Sequence, residues 1–245
     1  MKTSGQTILI TGGSSGIGLA LAKRFLKLNN TVIITGRNKE KLAAIKTENP
    51  EVITFAGDLT NKNALDDLVV FIEQNYDGLQ LLVNNAAVQY NYHFTEEPNF
   101  MPKVDYEIAA NLSAPIKLTG LLLPILLRNK DSAVVNVSSG LFLAPKKSAS
   151  VYCATKAALH SFSKTLRYQL EHTETKVFEV IPALIDTPMT EGRGSSKMTA
   201  ETLVDEVISG MRSDTYEIYI GKTKLLKLLS RLVPRLADRL MKNGL

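Results

Sequence analysis

The 245-residue sequence has one cysteine, no tryptophan and three histidines. Cys153 alone cannot close an internal disulfide or build a cysteine-rich metal site. His93, His160 and His172 have no companions at metal-ligand spacing, so no metal is expected. Long apolar runs are also missing. The longest, 121–127, is interrupted by Pro124 and falls far short of the ~20 residues that cross a bilayer. Near the N-terminus only 7–10 is apolar before a Gly/Ser loop begins, and no secretory signal is read there. With a single cysteine, this leads us to expect a reducing, cytoplasmic setting.

Charge is unevenly spread. Of the net charge of +5, residues 222–245 hold Lys222, Lys224, Lys227, Arg231, Arg235, Arg239 and Lys242 against Asp238 alone, so the tail is +6 and the rest is −1. A body that is nearly neutral does not bind nucleic acid through its backbone charge. The same tail places Leu225, Leu228, Leu229, Leu232, Leu236 and Leu240 at helical spacing, divided by Pro234. We therefore read 1–221 as one domain and 222–245 as a basic amphipathic extension packed on it. Packing over a cleft, with basic stems snorkelling, is favoured over contact with an anionic membrane surface.

Between these ends, short β-branched runs at 7–11, 31–35, 52–56, 81–84, 133–138, 176–181 and 216–220 alternate with helical patterns at 17–28, 39–47, 63–74, 105–128 and 152–171. The strands are continuous apolar runs, as strands buried on both faces should be. The alternation predicts an α/β fold: one doubly wound, parallel, seven-stranded sheet with helices on both faces. Pro115 and Pro124 conflict with the helix at 105–128. Residues 184–199 read as a long loop.

The first strand runs into Thr11-Gly12-Gly13-Ser14-Ser15-Gly16-Ile17-Gly18, and a helix follows. Such glycines allow a tight turn and close approach of backbone to a pyrophosphate, and the helix N-terminus then offers free N–H groups to phosphate. Further along, in order, stand Gly57-Asp58-Leu59, Asn84-Asn85-Ala86-Ala87, Asn111, Ser138-Ser139, Tyr152-Cys153-Ala154-Thr155-Lys156 and Pro182-Ala183-Leu184-Ile185-Asp186-Thr187. This ordered set over roughly 5–221 resembles the short-chain dehydrogenase/reductase family, and 151–162 with the leucine-rich tail looks most like its bacterial DltE-like subgroup. The resemblance implies a single Rossmann-type domain that binds a nicotinamide dinucleotide. It implies cofactor contacts from Gly12, Ser14, Ser15, Gly16, Ile17, Gly18, Arg37, Asp58, Leu59, Asn85, Ala86, Ala87, Tyr152, Lys156, Pro182, Ile185 and Thr187. It also implies a homodimer or homotetramer formed through helices 105–128 and 152–171.

A phenol near pKa 10 is a weak acid–base catalyst at neutral pH. Lys156, four residues after Tyr152 and on the same helix face, is expected to favour the phenolate and pull that pKa down. By resemblance, Tyr152 is the general acid/base, Ser139 donates to the substrate oxygen, Lys156 also binds the nicotinamide ribose, and Asn111 anchors a water in a proton relay. Two family glycines are replaced, by Ala87 and Ala183, and a need for positive φ at either would disturb cofactor placement.

An NAD site needs an acid at the end of the second strand, but Gly36 and then Arg37 stand there. A guanidinium pairs with a 2′-phosphate, so NADP(H) is the preferred cofactor, with NAD(H) the alternative. Tyr90, Tyr92, His93, Phe94 and Phe100, with Phe142, Leu143, Leu184, Ile185 and Met189, are expected at the carboxyl ends of the strands. They suggest an apolar or aromatic small-molecule carbonyl or secondary alcohol as substrate. The reading is an NADP(H)-dependent oxidoreductase. Its rivals are an NAD-dependent alcohol dehydrogenase and a non-catalytic dinucleotide-sensing or membrane-associated protein, which would have no use for a proton donor.

Overall fold

Seven apolar runs pair as one all-parallel sheet in the order β3-β2-β1-β4-β5-β6-β7. The strands are β1 (Thr7–Ile10), β2 (Thr31–Gly36), β3 (Ile53–Ala56), β4 (Leu79–Asn84), β5 (Ala133–Val137), β6 (Lys176–Ile181) and β7 (Glu217–Tyr219). The computed structural model describes residues 1–194 and 196–244. The two-residue period of a strand sends alternate side chains to opposite faces. Ile8, Ile10, Val32, Ile34, Leu81 and Val83 enter one core, beneath α1 (Gly16–Lys27) and α7 (Ala200–Arg212). Leu9, Ile33 and Leu82 enter the other, beneath α3 (Lys62–Asn75) and α5 (Ala114–Arg128). α2 (Lys39–Glu48) connects β2 to β3. The fold is therefore doubly wound. β1 lies between β2 and β4, so the winding reverses there, and the crevice above their carboxyl ends is where such sheets take ligands.

The long central helix starts earlier than its periodicity predicts. α4 (Met101–Ile108) has Pro102 in its first turn, where no N–H is missed. A π turn (Ala109–Ser113), closed by the Ala114 N–H on the Ala109 carbonyl, then joins α4 to α5. Pro115, which has no N–H for the Asn111 carbonyl, is the second residue after this turn. Pro124 lies on the exposed side of α5, as does Gly120, whose carbonyl the proline leaves without an N–H donor. Met101–Arg128 has the length and composition to cross a bilayer. Its inner face nevertheless packs Leu118, Leu122, Ile125 and Leu126 into the core.

α6 (Ser150–Gln169) carries Tyr152 and Lys156. The loop at 184–199 is tied by a bridge between Ile185 and Met198 and by a short turn at Pro188–Thr190. The tail forms α8 (Thr223–Leu232) and α9 (Pro234–Met241). Their inner faces bury Ala237 and Met241 against Ala144, with Leu226, Leu229 and Leu141 packed alongside. Thr223 Oγ1 donates to the Ile181 carbonyl at 2.9 Å, and the Lys147 N–H donates to the Lys242 carbonyl at 2.9 Å. The outer faces leave Leu225, Leu228, Leu232, Val233, Leu236 and Leu240 exposed.

Candidate active site

The glycine loop crosses the carboxyl ends of β1 and β4. Gly12 and Gly16 take φ of +65° and +54°, the left-handed region that favours glycine. A Cβ on Gly12 would lie 2.9 Å from Ala86 Cα, so the backbone is close-packed there. Asn85 Nδ2 donates to the carbonyls of Thr11 (2.9 Å) and Gly12 (3.2 Å), while Thr11 Oγ1 accepts from the N–H groups of Asn85 and Ala86 at 3.0 Å each. This lattice fixes the loop against β4. Ser15 opens α1 without capping it through its side chain, which leaves first-turn N–H groups open to an anion.

A cleft of about 260 Å³ runs from here along the strand ends. Gly12, Ser14, Ser15, Gly16, Ile17, Arg37, Asp58, Leu59, Asn85, Ala86, Ala87, Tyr152, Lys156, Pro182 and Thr187 all line it. Two residues expected at the cofactor do not. Gly18 is used up in packing α1 onto the loop: its absent Cβ would lie 2.4 Å from the Gly12 carbonyl oxygen. Ile185 is turned into the neighbouring cavity by its bridge to Met198. Neither Ala87 nor Ala183 adopts a positive φ, so both backbones reach their places without glycine.

At the far end of the cleft stands a residue that sequence reasoning missed. Tyr106, from α4, donates its hydroxyl to Asp58 Oδ2 at 2.7 Å and accepts from Arg37 Nη1, whose guanidinium also lies over the Tyr106 ring. Asp58 Oδ1 takes the N–H and hydroxyl of Thr60. Burial would raise the Asp58 carboxyl, but the bonds from Tyr106 and Thr60 and the Arg37 charge outweigh it and hold the group below its usual range. Arg37 is exposed, but its guanidinium is positioned by Asp58 and Tyr106.

At the near end, Tyr152 and Lys156 are both buried. Lys156 Nζ donates to the Val137 carbonyl at 2.8 Å and lies 5.5 Å from the Tyr152 ring centre. Burial pushes the Tyr152 phenol up to about 12, with the Ser139 hydroxyl partly opposing it. Burial likewise pulls the Lys156 ammonium down to about 8, against the pull of Glu179 and Glu107. The expectation that Lys156 would lower the tyrosine pKa is corrected: desolvation of the phenolate is the larger effect. Ser139, at the end of β5, accepts the Leu141 N–H at 3.2 Å. Asn111 does not face the cleft. Its side chain donates to the Val88 carbonyl (2.8 Å) and accepts the Val88 N–H (2.8 Å), with Thr155 Oγ1 at 3.3 Å. It therefore pins the strand exit to the π turn.

Two buried acids lie behind this pair and carry no sequence signal. Glu179, on β6, meets His160 Nδ1 at 2.7 Å, and Phe142 stacks on the His160 ring. Glu107, on α4, is fully buried; one oxygen accepts the Tyr90 N–H at 3.2 Å and the other has no partner among the described residues. Burial raises its carboxyl to about 7, with the Tyr90 bond and Lys156 opposing. The folded chain then holds a proton that the unfolded chain has released between about pH 4.5 and 7, so stability falls as pH rises through that window. At ~1.4 kcal/mol per unit the penalty above pH 7 is about 3 kcal/mol. Glu107→Gln should gain stability relative to the parent as pH is raised from 5 to 8, read as the difference in urea midpoint. A difference that does not change with pH would show that the carboxylate is not penalised.

Beyond Tyr152 the cleft opens into a second cavity of about 300 Å³, as large as the first. Tyr152, Ile17, Pro182, Thr187 and Met189 line both. Its other walls include Ser139, Ala183, Leu184, Ile185, Leu226, Leu229 and Met241. The aromatic loop expected here is absent from the lining, where only Gln89 represents that segment. Tyr92, Phe94 and Phe100 stack edge-to-face on one another instead. The cavity is aliphatic because the tail helices close it, a contact with no local signal in the sequence.

Comparison with known proteins bears on the family and the fold. The family model described as short chain dehydrogenase matches residues 6–197. The uncharacterized oxidoreductase DltE of Bacillus subtilis is 39% identical over 224 residues, covering 89% of each chain. The crystal structure of a short chain dehydrogenase from Burkholderia cenocepacia in complex with NADP superposes with a TM-score of 0.88 at 23% identity, covering 99% of this chain and 100% of that one. A short chain dehydrogenase/reductase from Burkholderia phymatum in complex with NAD gives 0.85 at 20% identity, covering 100% and 98%.

Proposed function

Because the chain belongs to the short-chain dehydrogenase family, as an oxidoreductase of its DltE-like subgroup, we propose that it is an NADP(H)-dependent enzyme acting on a carbonyl/secondary alcohol pair, with Tyr152 as the proton donor and acceptor. The observation that carries this reading is the position of Tyr152: it is the titratable side chain that lines both cavities. The glycine-loop cleft fits a dinucleotide. Gly12 gives the loop its close approach to β4, Gly16 its left-handed turn, and α1 presents uncapped N–H groups to a pyrophosphate. When bound there, the dinucleotide supplies or accepts the hydride.

The chain's own residues would handle the proton. With a pKa near 12 the Tyr152 phenol is protonated at neutral pH and is a donor in the reducing direction. Ser139, whose hydroxyl lowers the Tyr152 pKa against the effect of burial, would donate to the substrate oxygen as charge develops. Lys156, held on the Val137 carbonyl, would stabilise the phenolate left after transfer. Asn111 would hold the π turn and the Val88 backbone in place beside the cleft.

The NADP(H) preference rests on Arg37 and Gly36. No acid at 36 repels a 2′-phosphate, and a Cβ there would already lie 3.0 Å from Ser14 Oγ. Tyr106 and Asp58 hold the Arg37 guanidinium at the cleft wall. Calorimetric titration should find NADPH binding at least about tenfold tighter than NADH, ~1.4 kcal/mol, with Arg37→Ala erasing most of the difference. Equal affinities, or tighter NADH, would overturn the preference and favour the NAD-dependent alternative.

A further inference from the structure

The charged side chains that line the second cavity are all cations: Lys146, Arg193 and Lys222. Among the described residues, no acidic side chain lines it. Lys146 and Arg193 are half-buried, and neither has a carboxylate partner among the described residues. Arg193 Nη1 is instead held by Gln89 Oε1 at 2.6 Å, a neutral acceptor that orients the guanidinium and leaves its charge uncompensated. The two charges are close enough to disfavour each other: burial and Arg193 together lower the Lys146 ammonium below its usual range. The Arg193 charge also reaches the Tyr152 phenol. Two half-buried like charges beside an aliphatic chamber are unfavourable unless an anion joins them.

The rest of the wall is a hydrocarbon surface. Leu226, Leu229 and Met241 line the chamber from the inner faces of α8 and α9. Leu225 and Leu240 line it and are also exposed, so the apolar surface continues outward past the mouth. A small ketone would satisfy neither the cations nor this length of apolar wall.

We propose that the chamber binds an anionic amphiphile, its carboxylate or phosphate held between Lys146 and Arg193, its carbonyl or alcohol carbon at Tyr152, and its aliphatic chain laid along α8 and α9. This rests on the proposed oxidoreductase reading for the reaction, but not for the binding. The anionic group ends close to the reacting carbon because both cations stand beside Tyr152 in the same lining.

Calorimetry on the full chain, with and without saturating NADPH, tests it. The probes are decanoate and decyl phosphate, against neutral 1-decanol and against the tailless anions acetate and inorganic phosphate. At least one anionic amphiphile should bind about tenfold or more tighter than decanol and than its own tailless anion, the range of a charge-assisted bond. Arg193→Gln and Lys146→Gln should each bring its affinity toward that of decanol without changing NADPH binding. Preference for decanoate over decyl phosphate, or the reverse, identifies the head group. Decanol binding as tightly as the anions, inorganic phosphate binding as tightly as decyl phosphate, or no amphiphile binding while NADPH does, would overturn the proposal. Amphiphile binding without NADPH binding would uphold it and remove the cofactor reading instead.

Discussion

Tyr152→Phe should lower kcat/KM for carbonyl reduction by about 10²–10⁴, the usual contribution of a positioned general acid, and leave NADPH affinity within about twofold. The ring stays in its buried seat between the two cavities, and only the hydroxyl is removed. Steady-state kinetics with NADPH and a carbonyl panel, alongside calorimetry, separate the two effects. Unchanged turnover would take Tyr152 out of the chemistry. Lost NADPH binding would make it a structural residue.

Gly18→Ala should produce the largest combined loss of stability and cofactor binding. Its added Cβ would lie 2.4 Å from the Gly12 carbonyl oxygen and 2.5 Å from Asn85 Nδ2. The first of these is backbone, and Asn85 is already committed to Thr11 and Gly12. α1 must therefore move away from the loop. Overpacking of this kind costs about 1–3 kcal/mol, roughly 3–10 °C in Tm for a chain of this size. NADPH affinity should fall more than about tenfold, because the helix N-terminus no longer faces the loop. Gly120→Ala is the control. Nothing lies within 4 Å of its Cβ position on the exposed side of α5, so it should gain about 0.5–1 kcal/mol from helix propensity. If both variants behave alike, the close approach at Gly18 does not exist in solution.

The sequence by itself determined the parallel α/β sheet and most of the cleft. Strand identity follows from two-sided burial, which writes a continuous apolar run such as 133–137 into the chain. The glycine loop and the Tyr152–Lys156 pair are also local, since a tight turn and a four-residue helix spacing are properties of neighbouring residues. Only the tertiary structure decided the rest. Tyr106 meets Arg37 and Asp58 because the sheet order sets the segments leaving β2 and β3 side by side and within reach of α4, a contact across 48 residues from Asp58. Glu107 and Glu179 are buried beside Lys156 by packing that no spacing announces. The aromatic loop at 92–100 turned away from the chamber because its rings satisfy one another, while leucines from the distant tail took its place. The Tyr152 pKa moved opposite to the expected direction for the same reason. A neighbouring charge can be read from a helix register, but desolvation depends on everything folded around the group.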